Sequence, residues 1–561
     1  MSFFLDDFHK LSPIFSTFAA EISNKQNMLL GREIEQEKLL QLLEKEESQF
    51  CVVYGRRRVG KTYLIRETFA GRFTFQHTGL ANAPKSDQLR EFKESLRAAG
   101  MRVTKAPKTW YEAFGMLQEH LAQLPSGKKV LFIDELSWLD TPKSNFISAL
   151  EHFWNGWATA RPEKDIVLIV CGSATSWIVN KVVRNHGGLH NRLTMKLFLQ
   201  PFTLYECKQF ARHLKLELSD RDLLELYMIM GGIPYYWGFL RKGKSFAQNI
   251  DQLFFSTDAP LADEYGALYA SLFRNAAPHM AVIASLATKK AGMLRKELLQ
   301  ATRLSDNGVF KRALEELEQC NFIRKYFSFG KKEKEAQYQL MDNFTLFHFR
   351  FIAENRHRDE HYWSHSLETP RHAAWAGLAF ERVCLWHLPQ MLQALGINGV
   401  VSSAHSWQTG GNEEHPGAQI DLLIDRNDNV INLCEMKFSD TEYSLGKEEA
   451  AKLRQRKAVF KSVTRTKKAV HLTMVTTYGV RHNAYWNDIQ SEITMKDLFS
   501  LKGRNAWITG AAYGIGFSIA KAFVEAGIDN IIFNTSNEAS MQKGLDAYRE
   551  AGITNVHGYV I

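Results

Sequence analysis

The hydrophobic pattern of the first third of the chain alternates between two kinds of segment. From about Leu29 to Leu204, short apolar runs are separated by stretches with helical periodicity. Three runs are apolar at every position and rich in β-branched residues, as strands buried on both faces are. These runs are FCVVY (50–54), VLFID (130–134) and IVLIVCGS (166–173). Strands of this kind alternating with helices predict an α/β fold around a parallel sheet.

The pattern changes three more times towards the C-terminus. From about Gly266 to Asp342 it predicts short helices followed by a hairpin, and from about Phe344 it predicts a helix followed by strands. At Leu501 a glycine-rich strand–turn–helix begins. We therefore expect an N-terminal extension and four domains, with bounds 1–28, 29–265, 266–343, 344–500 and 501–561.

Composition narrows the class of protein. The chain has 561 residues, of which 45% are hydrophobic, so it can build several packed cores and is not disordered. Its formal net charge of +9 is compatible with nucleic-acid contact without requiring it. The six cysteines are scattered and contain no CxxC pair, which is typical of reduced thiols in a cytoplasmic protein. No apolar run reaches the roughly 18 residues of a membrane span, so no membrane partner is expected.

The segment GRRRVGKT (55–62) fits the pattern G-x4-G-K-[ST] between a predicted strand and a predicted helix. Its glycines let backbone N–H groups face phosphates, and the helix N-terminus adds positive potential. Lys61 is expected to reach the β- and γ-phosphates of ATP, and Thr62 to bind Mg²⁺. The predicted nucleotide-binding residues are Gly55, Arg56, Arg57, Arg58, Val59, Gly60, Lys61 and Thr62.

Polar residues follow the next two predicted strands. Asp134 and Glu135 end the run VLFIDE, where Asp134 is expected to hold Mg²⁺ through water and Glu135 to polarise the attacking water. Ser173 ends the third strand, either touching the γ-phosphate or the attacking water, or serving as an ordinary strand-end serine. Arg192 is interpreted as an arginine finger or, alternatively, as a surface arginine.

Together these motifs resemble a known family. The order is Gly31-Arg32-Glu33, then GRRRVGKT, LFIDEL, CGS and finally GGIPYY at 231–236. Over roughly residues 28–500 this is similar to the prokaryotic P-loop ATPases abundant in archaea, which are related to AAA+ and STAND ATPases. The resemblance implies ATP hydrolysis, a GRE motif near the adenine, and a small helical lid containing the GGIP motif. Asn191-Arg192 stands where relatives are expected to have Gly-Arg.

Residues 280–340 are interpreted as a winged helix-turn-helix. Ser305-Asp306-Asn307 is expected to cap a helix over 308–319, and NFIRKYFSF (321–329) to pair with AQYQLM (336–341) around Gly330. Such a fold can place a helix in the major groove of double-stranded DNA and touch phosphates with its wing. The candidate contacts are Lys311, Arg312, Lys331, Lys332 and Lys334. Alternatively, the region only packs or regulates.

Four residues in 344–500 form a nuclease-like pattern. Glu381 lies on a predicted helix, Asp421 on a strand, and Glu435 and Lys437 share one face of the next strand. Two carboxylates and a lysine can hold Mg²⁺ and orient a water for phosphodiester attack, with Asp421 and Glu435 as metal ligands and Glu381 completing the metal site. This resembles the PD-(D/E)XK nuclease fold in its E…D…E-x-K form. The alternatives are an ordinary strand–turn–strand with exposed acidic residues and a nuclease fold without activity.

The tail contains TGAAYGIG (509–516), which fits T-G-x3-G-x-G after a strand and before a helix. It resembles the opening of short-chain dehydrogenases, but the sequence contains only a strand–helix–strand–helix–strand portion. A half-Rossmann unit does not form a cofactor site alone. We therefore expect an appended fragment, with Asn534 and Thr535 where an acidic residue would select NAD.

Three hypotheses of function follow. The first is an ATPase coupled to a DNA-binding or nuclease-like module. The second is a STAND-type switch in which ATP changes conformation and homo-oligomer assembly, without nuclease activity. The third is an oxidoreductase, against which the incomplete dehydrogenase pattern argues.

Overall fold

The computed structural model describes residues 29–184, 189, 191–273, 275–330, 336–413, 415–500 and 505–560. The chain divides into two compact units. The first comprises 60–172, 178–198 and the segment that ends at Tyr54. The second comprises 55–59, 173–177 and the chain from Leu199 onwards.

The first unit is built around a five-stranded sheet. Its strands are β1 (Gln49–Tyr54), β2 (Phe73–Thr78), β3 (Lys129–Asp134), β4 (Ile166–Gly172) and β5 (Met195–Phe198). They lie in the order β2-β3-β4-β1-β5, and every neighbouring pair is parallel. The three predicted strands and the predicted parallel sheet are therefore confirmed.

Strand burial depends on position in this sheet, and helices connect the strands. Every residue of β3 and β4 is buried, as expected for central strands with apolar residues at successive positions. The edge strands β2 and β5 are partly exposed. The helices are Glu33–Glu44, Lys61–Thr68, Lys85–Ala98, Trp110–Ala122 and Phe146–Phe153, with a 3₁₀ turn at Leu136–Trp138 and π-helical turns at Trp154–Ala158 and Val179–Val183.

The second unit begins with short helices. They are Thr175–Ile178, which ends at the boundary of the first unit, Leu204–His213, Asp220–Met230, Pro234–Trp237, Phe246–Phe254 and Glu264–Leu272. Thr203, Ser219 and Ser245 each cap the following helix in a capping box, which satisfies backbone N–H groups at its first turn. The predicted helical lid falls in this part of the chain.

The described residues between 277 and 340 form three helices and a small antiparallel sheet. The helices are Ala277–Ala287, Arg295–Thr302 and Gly308–Gln319, and the sheet order is β6 (Met293–Leu294), β8 (Gln337–Leu340), β7 (Ile323–Tyr326). The predicted helix at 308–319 and its hairpin are confirmed. Asn307 caps the helix by accepting hydrogen bonds from the amides of Val309 and Phe310. The predicted wing-tip residues Lys331, Lys332 and Lys334 lie outside the described residues.

Residues 343–500 form a mixed sheet with helices. Its order is β13 (Ser491–Thr494), β12 (Ala469–Thr476), β11 (Val430–Lys437), β10 (Ala418–Arg426), β9 (Ser402–Thr409). The predicted β10–β11 hairpin is confirmed, since these strands are antiparallel. The helices are Asn343–Phe347, Tyr362–Ser366, Pro370–Trp386, Leu388–Ala394, Lys447–Thr464 and Met495–Leu498, with a π-helical turn at His348–Ile352 and a 3₁₀ turn at Trp486–Asp488.

The tail forms a separate three-stranded sheet. Its strands β14 (Asn505–Thr509), β15 (Asn530–Thr535) and β16 (Val556–Val560) are parallel and lie in sequence order, with helices Gly514–Glu525 and Glu538–Glu550 between them. The buried hydrophobic residues of the tail form a cluster that also includes Tyr205. The ring of Tyr205 lies 6.2 Å from that of Phe523 in the tail. The tail therefore packs against the helical part of the second unit.

All six cysteines are buried. Within the described ranges, no helix is long and apolar enough to cross a membrane.

Candidate functional site

The phosphate-binding motif continues into a helix in the first unit. Gly60 adopts φ 92°, a left-handed conformation suited to glycine, and the helix Lys61–Thr68 starts at the next residue. Lys61 is buried, with 6% of its surface exposed. A cationic side chain at a helix N-terminus adds to the positive potential of the first-turn amides, which favours phosphate.

Asp134 lies at the end of β3 and has both carboxylate oxygens held. The Thr62 hydroxyl donates to Oδ2 at 2.9 Å, whereas the Cys171 thiol and the Glu135 amide donate to Oδ1 at 2.7 and 2.9 Å. All three donors are uncharged, and the carboxylate is 4% exposed. Thr62 and Asp134, the two predicted Mg²⁺ ligands of the ATPase motifs, are therefore in direct contact.

Glu135 has an unusual backbone conformation. Its φ of 49° and ψ of 46° lie in the left-handed region, and the 3₁₀ turn Leu136–Trp138 follows immediately. Non-glycine residues there cost of the order of 1–3 kcal/mol and cluster at functional sites. The strand thus ends abruptly at the residue predicted to polarise water.

Cys171 was not predicted to take part in the site. Burial, followed by the negative charge of Asp134, raises the pKa of its thiol well above the usual value. The group therefore stays protonated and remains a hydrogen-bond donor to Asp134. The contact follows from the register of the two strands. β3 and β4 pair from Lys129–Ile166 to Ile133–Val170, and one residue further along, Asp134 lies beside Cys171.

Residues 55–59 of the motif belong to the second unit, where Gly55 meets other backbone closely. Gly55 adopts φ 145°, and a Cβ at this position would collide with the carbonyl oxygen of Leu199. Glycine is therefore required here for two independent reasons, conformation and space.

Arg56 is held by a buried ion pair with Asp342. Its guanidinium also lies 4.4 Å from the ring centre of Phe322. Burial disfavours the charged guanidinium, but the charge of Asp342 outweighs it and raises the pKa of Arg56. The other oxygen of Asp342 accepts a hydrogen bond from the Thr345 amide at 2.9 Å, which caps the helix Asn343–Phe347.

A second arginine of the loop, Arg58, also has an acidic partner, which is Glu264. Its guanidinium lies 4.1 Å from the ring centre of Tyr235, and the Tyr236 hydroxyl donates to Glu264 Oε1 at 2.7 Å. Both tyrosines belong to the GGIPYY motif. Glu264 and Asp342 were missed by the sequence analysis because no recognisable motif surrounds them.

The remaining candidates of the ATPase motifs are less defined. Arg57 is half-buried, and Val59 is buried. Ser173 is 9% exposed, and its carbonyl accepts from the Thr175 amide at 2.8 Å. Arg192 is exposed. These observations leave the roles predicted for Ser173 and Arg192 as predictions.

Two of the four nuclease-like residues meet at Lys290. The Lys290 ammonium lies 2.6 Å from Glu381 Oε1 and 3.3 Å from Asp421 Oδ2. Burial, followed by the charge of Asp421, raises the pKa of Glu381 to about 7. The helix Pro370–Trp386 and strand β10 thus bring Glu381 and Asp421 to one place.

The other two residues form their own network. Lys437 Nζ lies 3.1 Å from Glu435 Oε1 and 2.9 Å from Glu449 Oε1, while Arg456 bonds to the other oxygen of Glu435. Glu435 and Lys437 therefore share a face of β11, as predicted. Across the described residues, no three His, Cys, Asp or Glu side chains lie close enough to hold a metal ion.

Comparison with known proteins concerns the part of the chain that contains the first of these sites. Residues 29–238 match the sequence model of a family described as an ATPase domain predominantly from Archaea. An uncharacterized protein of Methanocaldococcus jannaschii is 25% identical over 418 residues, which are 74% of this chain and 88% of that protein.

Matches over shorter stretches also occur. A sorbose reductase of Candida albicans is 51% identical over 43 residues, 8% of this chain and 15% of that protein. An uncharacterized oxidoreductase of Schizosaccharomyces pombe is 47% identical over 57 residues, 10% of this chain and 22% of that protein.

Solved structures include the Walker-type ATPase of Pyrococcus abyssi, which is 17% identical with a TM-score of 0.41 and covers 57% of this chain and 95% of its own. The family match, the phosphate-binding motif and the parallel sheet agree with one another. Residues 29–238 therefore match an ATPase domain and contain a phosphate-binding motif of the P-loop type.

Proposed function

We propose that this protein is a Mg²⁺-dependent ATP hydrolase whose nucleotide state is coupled to a DNA-acting C-terminal module. The contact between Thr62 and Asp134 carries the proposal, because it brings together the hydroxyl and the carboxylate that hold Mg²⁺ in P-loop ATPases. Binding of ATP is assigned to the loop 55–62.

Hydrolysis uses the residues around that contact. Lys61 offsets negative charge on the β- and γ-phosphates, and Thr62 and Asp134 would hold Mg²⁺, which supplies further charge neutralisation. Glu135 orients the water whose oxygen attacks the γ-phosphorus, as the bond to the ADP oxygen breaks. Ser173 is assigned a contact to that water or to the γ-phosphate.

Coupling is proposed to pass through the arginines of the phosphate-binding loop. Arg56 bonds to Asp342, which caps the first helix after the winged-helix region, and Arg58 bonds to Glu264 near the GGIPYY motif. A shift of loop 55–59 on nucleotide binding would strain both ion pairs, of which Arg56–Asp342 is buried. Their partners belong to the segments that lead into the C-terminal domains.

DNA contact is assigned to two helices. Lys311 and Arg312 are exposed on the helix Gly308–Gln319, although Lys311 lies 3.7 Å from Glu315. The helix Lys447–Thr464 carries a run of basic residues that can follow a phosphate backbone, namely Lys447, Lys452, Arg454, Arg456 and Lys457. The winged helix and the nuclease-like fold remain part of this proposal.

A switch without nuclease activity is the second candidate function. Each acidic residue of the nuclease-like pattern already has a cationic partner, since Lys290 bonds to Glu381 and Asp421 and Arg456 bonds to Glu435. This arrangement favours a domain that binds rather than cuts, with nucleotide-dependent assembly into homo-oligomers as the output.

The tail is not assigned a redox function. We attribute the two short oxidoreductase matches to residues 501–561, which contain the dehydrogenase-like motif. Trp507 Nε1 donates to Asn534 Oδ1 at 3.2 Å, so the strand end where an acid would select NAD carries an amide. We propose a dehydrogenase-derived fragment that serves as packing surface.

Supercoiled-plasmid nicking tests the coupling. Wild type, Glu435→Ala and the control Glu442→Ala, an exposed glutamate nearby, would be assayed with Mg²⁺ or Mn²⁺ and with or without ATP. Cutting by wild type and the control alone, altered by ATP, supports a coupled nuclease. ATP hydrolysis without cutting by any variant would reject the nuclease and favour the switch.

A further inference from the structure

Lys290 is placed firmly beside the nuclease-like carboxylates. It lies between the helix Ala277–Ala287 and β6, in the winged-helix region rather than in the nuclease-like domain. Its carbonyl oxygen accepts hydrogen bonds from Gln339 Nε2 at 2.8 Å and Arg382 Nη2 at 3.1 Å. The backbone is thus anchored at the point from which the side chain reaches Glu381 and Asp421.

Glu381 retains one oxygen that accepts no hydrogen bond. The residue is 6% exposed, and its Oε2 is buried without a hydrogen-bond partner among the described residues. Its charged neighbour there is Arg382 Nη1 at 3.8 Å, beyond hydrogen-bond distance. Each oxygen of Glu381 therefore faces a cation, Lys290 at Oε1 and Arg382 at Oε2.

The two carboxylates have the chemistry of a divalent-cation site. Oxygens of Glu381 and Asp421 converge on one point, and hard cations such as Mg²⁺ and Mn²⁺ are bound by such oxygens together with waters. In this structure that point is taken by the ammonium of Lys290, which carries one positive charge. Its side chain is 48% exposed, so it can leave towards solvent.

We propose that Lys290 is an internal counter-ion in the divalent-cation site of Glu381 and Asp421, and that a cation binds only when Lys290 withdraws. The winged-helix segment thereby controls metal loading of the neighbouring domain. This inference rests on the proposed nuclease-like site but not on cutting.

Manganese binding to the full chain tests the proposal, with Mn²⁺ titrated by electron paramagnetic resonance in the absence of nucleotide. Lys290→Met removes the competing charge but keeps the length of the side chain. We expect it to bind Mn²⁺ about tenfold more tightly than wild type or better, since removal of one nearby like charge is worth at least about a decade. Glu381→Gln added to Lys290→Met is expected to abolish the gain.

Lys289→Met is the matched control, because the neighbouring Lys289 pairs with Glu297 at 3.0 Å instead. It should bind Mn²⁺ like wild type. Equal affinities for wild type and Lys290→Met would overturn the proposal, as would weaker binding by the variant. If Lys290→Met does not fold by circular dichroism, Lys290→Gln provides the same comparison with a polar side chain. A gain in Mn²⁺ binding without DNA cutting would support the counter-ion and reject the nuclease.

Discussion

The nucleotide site and the nuclease-like cluster use acidic residues in opposite ways. Asp134 accepts hydrogen bonds from three uncharged donors, the Thr62 hydroxyl, the Cys171 thiol and the Glu135 amide. Glu381 and Asp421 instead bond to the ammonium of Lys290. Uncharged donors orient a carboxylate without neutralising its charge. A lysine ammonium neutralises the charge and also occupies the position where a metal ion would lie.

The two regions are similar in the order of their acidic residues but differ in the partners of those residues. Both regions have acidic residues in a recognisable order, but Asp134 bonds to uncharged donors whereas Glu381 and Asp421 bond to a cation. In the nucleotide region, ion pairs hold the loop arginines instead, with Arg56 on Asp342 and Arg58 on Glu264. Acidic partners thus hold the arginines of the first region, whereas a lysine lies between the carboxylates of the second.

The largest effect is expected from removing the support of the loop. Asp342→Ala leaves the buried Arg56 guanidinium without its carboxylate. It also removes the side chain that caps the helix Asn343–Phe347 by accepting from the Thr345 amide. Breaking a buried pair from one side costs about 3–5 kcal/mol. The midpoint of thermal unfolding should fall clearly below that of wild type, and ATP turnover should fall with it.

Asp258→Ala is the control, because Asp258 is exposed. An Asp342→Ala protein as stable and as active as wild type would show that the Arg56–Asp342 pair does not support the loop.

Lys61→Ala tests the charge at the phosphates. Loss of one preorganised positive partner lowers turnover by about 100- to 1000-fold at a transition state of developing charge. ATP affinity and hydrolysis would be measured beside Lys38→Ala, an exposed lysine on the helix Glu33–Glu44. ATP hydrolysis by Lys61→Ala at the wild-type rate would show that the nucleotide site does not lie in this loop.

Cys171 sharpens the contrast between uncharged and charged partners. Cys171→Ala removes one hydrogen bond to Asp134, which is worth about 1.5–3 kcal/mol for a charged acceptor, whereas Cys171→Ser keeps a donor. The Mg²⁺ concentration for half-maximal hydrolysis should rise for alanine and stay near wild type for serine. Equal behaviour of the two variants would mean that the thiol does not orient the carboxylate.

The smallest effect concerns a purely local feature. Asn307→Ala removes the cap of the helix Gly308–Gln319 and should cost about 1 kcal/mol of stability, while Asn307→Ser should cost less. Thermal unfolding measures both. A full loss of DNA binding with no change in stability would instead indicate that Asn307 contacts DNA directly.

These examples show which features a sequence can predict. The loop 55–62, the strands β1, β3 and β4 and the cap at Asn307 depend on residues adjacent in the chain, so their pattern was sufficient. The partners Asp342, Glu264 and Lys290 lie far along the chain from the residues that they bind. Contacts of this kind arise from tertiary packing and have no local signature.

The measurement that most directly tests the central claim is ATP binding and hydrolysis by wild type and Glu135→Gln under Mg²⁺. The substitution keeps the shape of the side chain but removes the charge that orients water. The account predicts unchanged ATP affinity and hydrolysis slowed by about 100-fold or more. Hydrolysis at the wild-type rate by Glu135→Gln, or none by wild type, would contradict it.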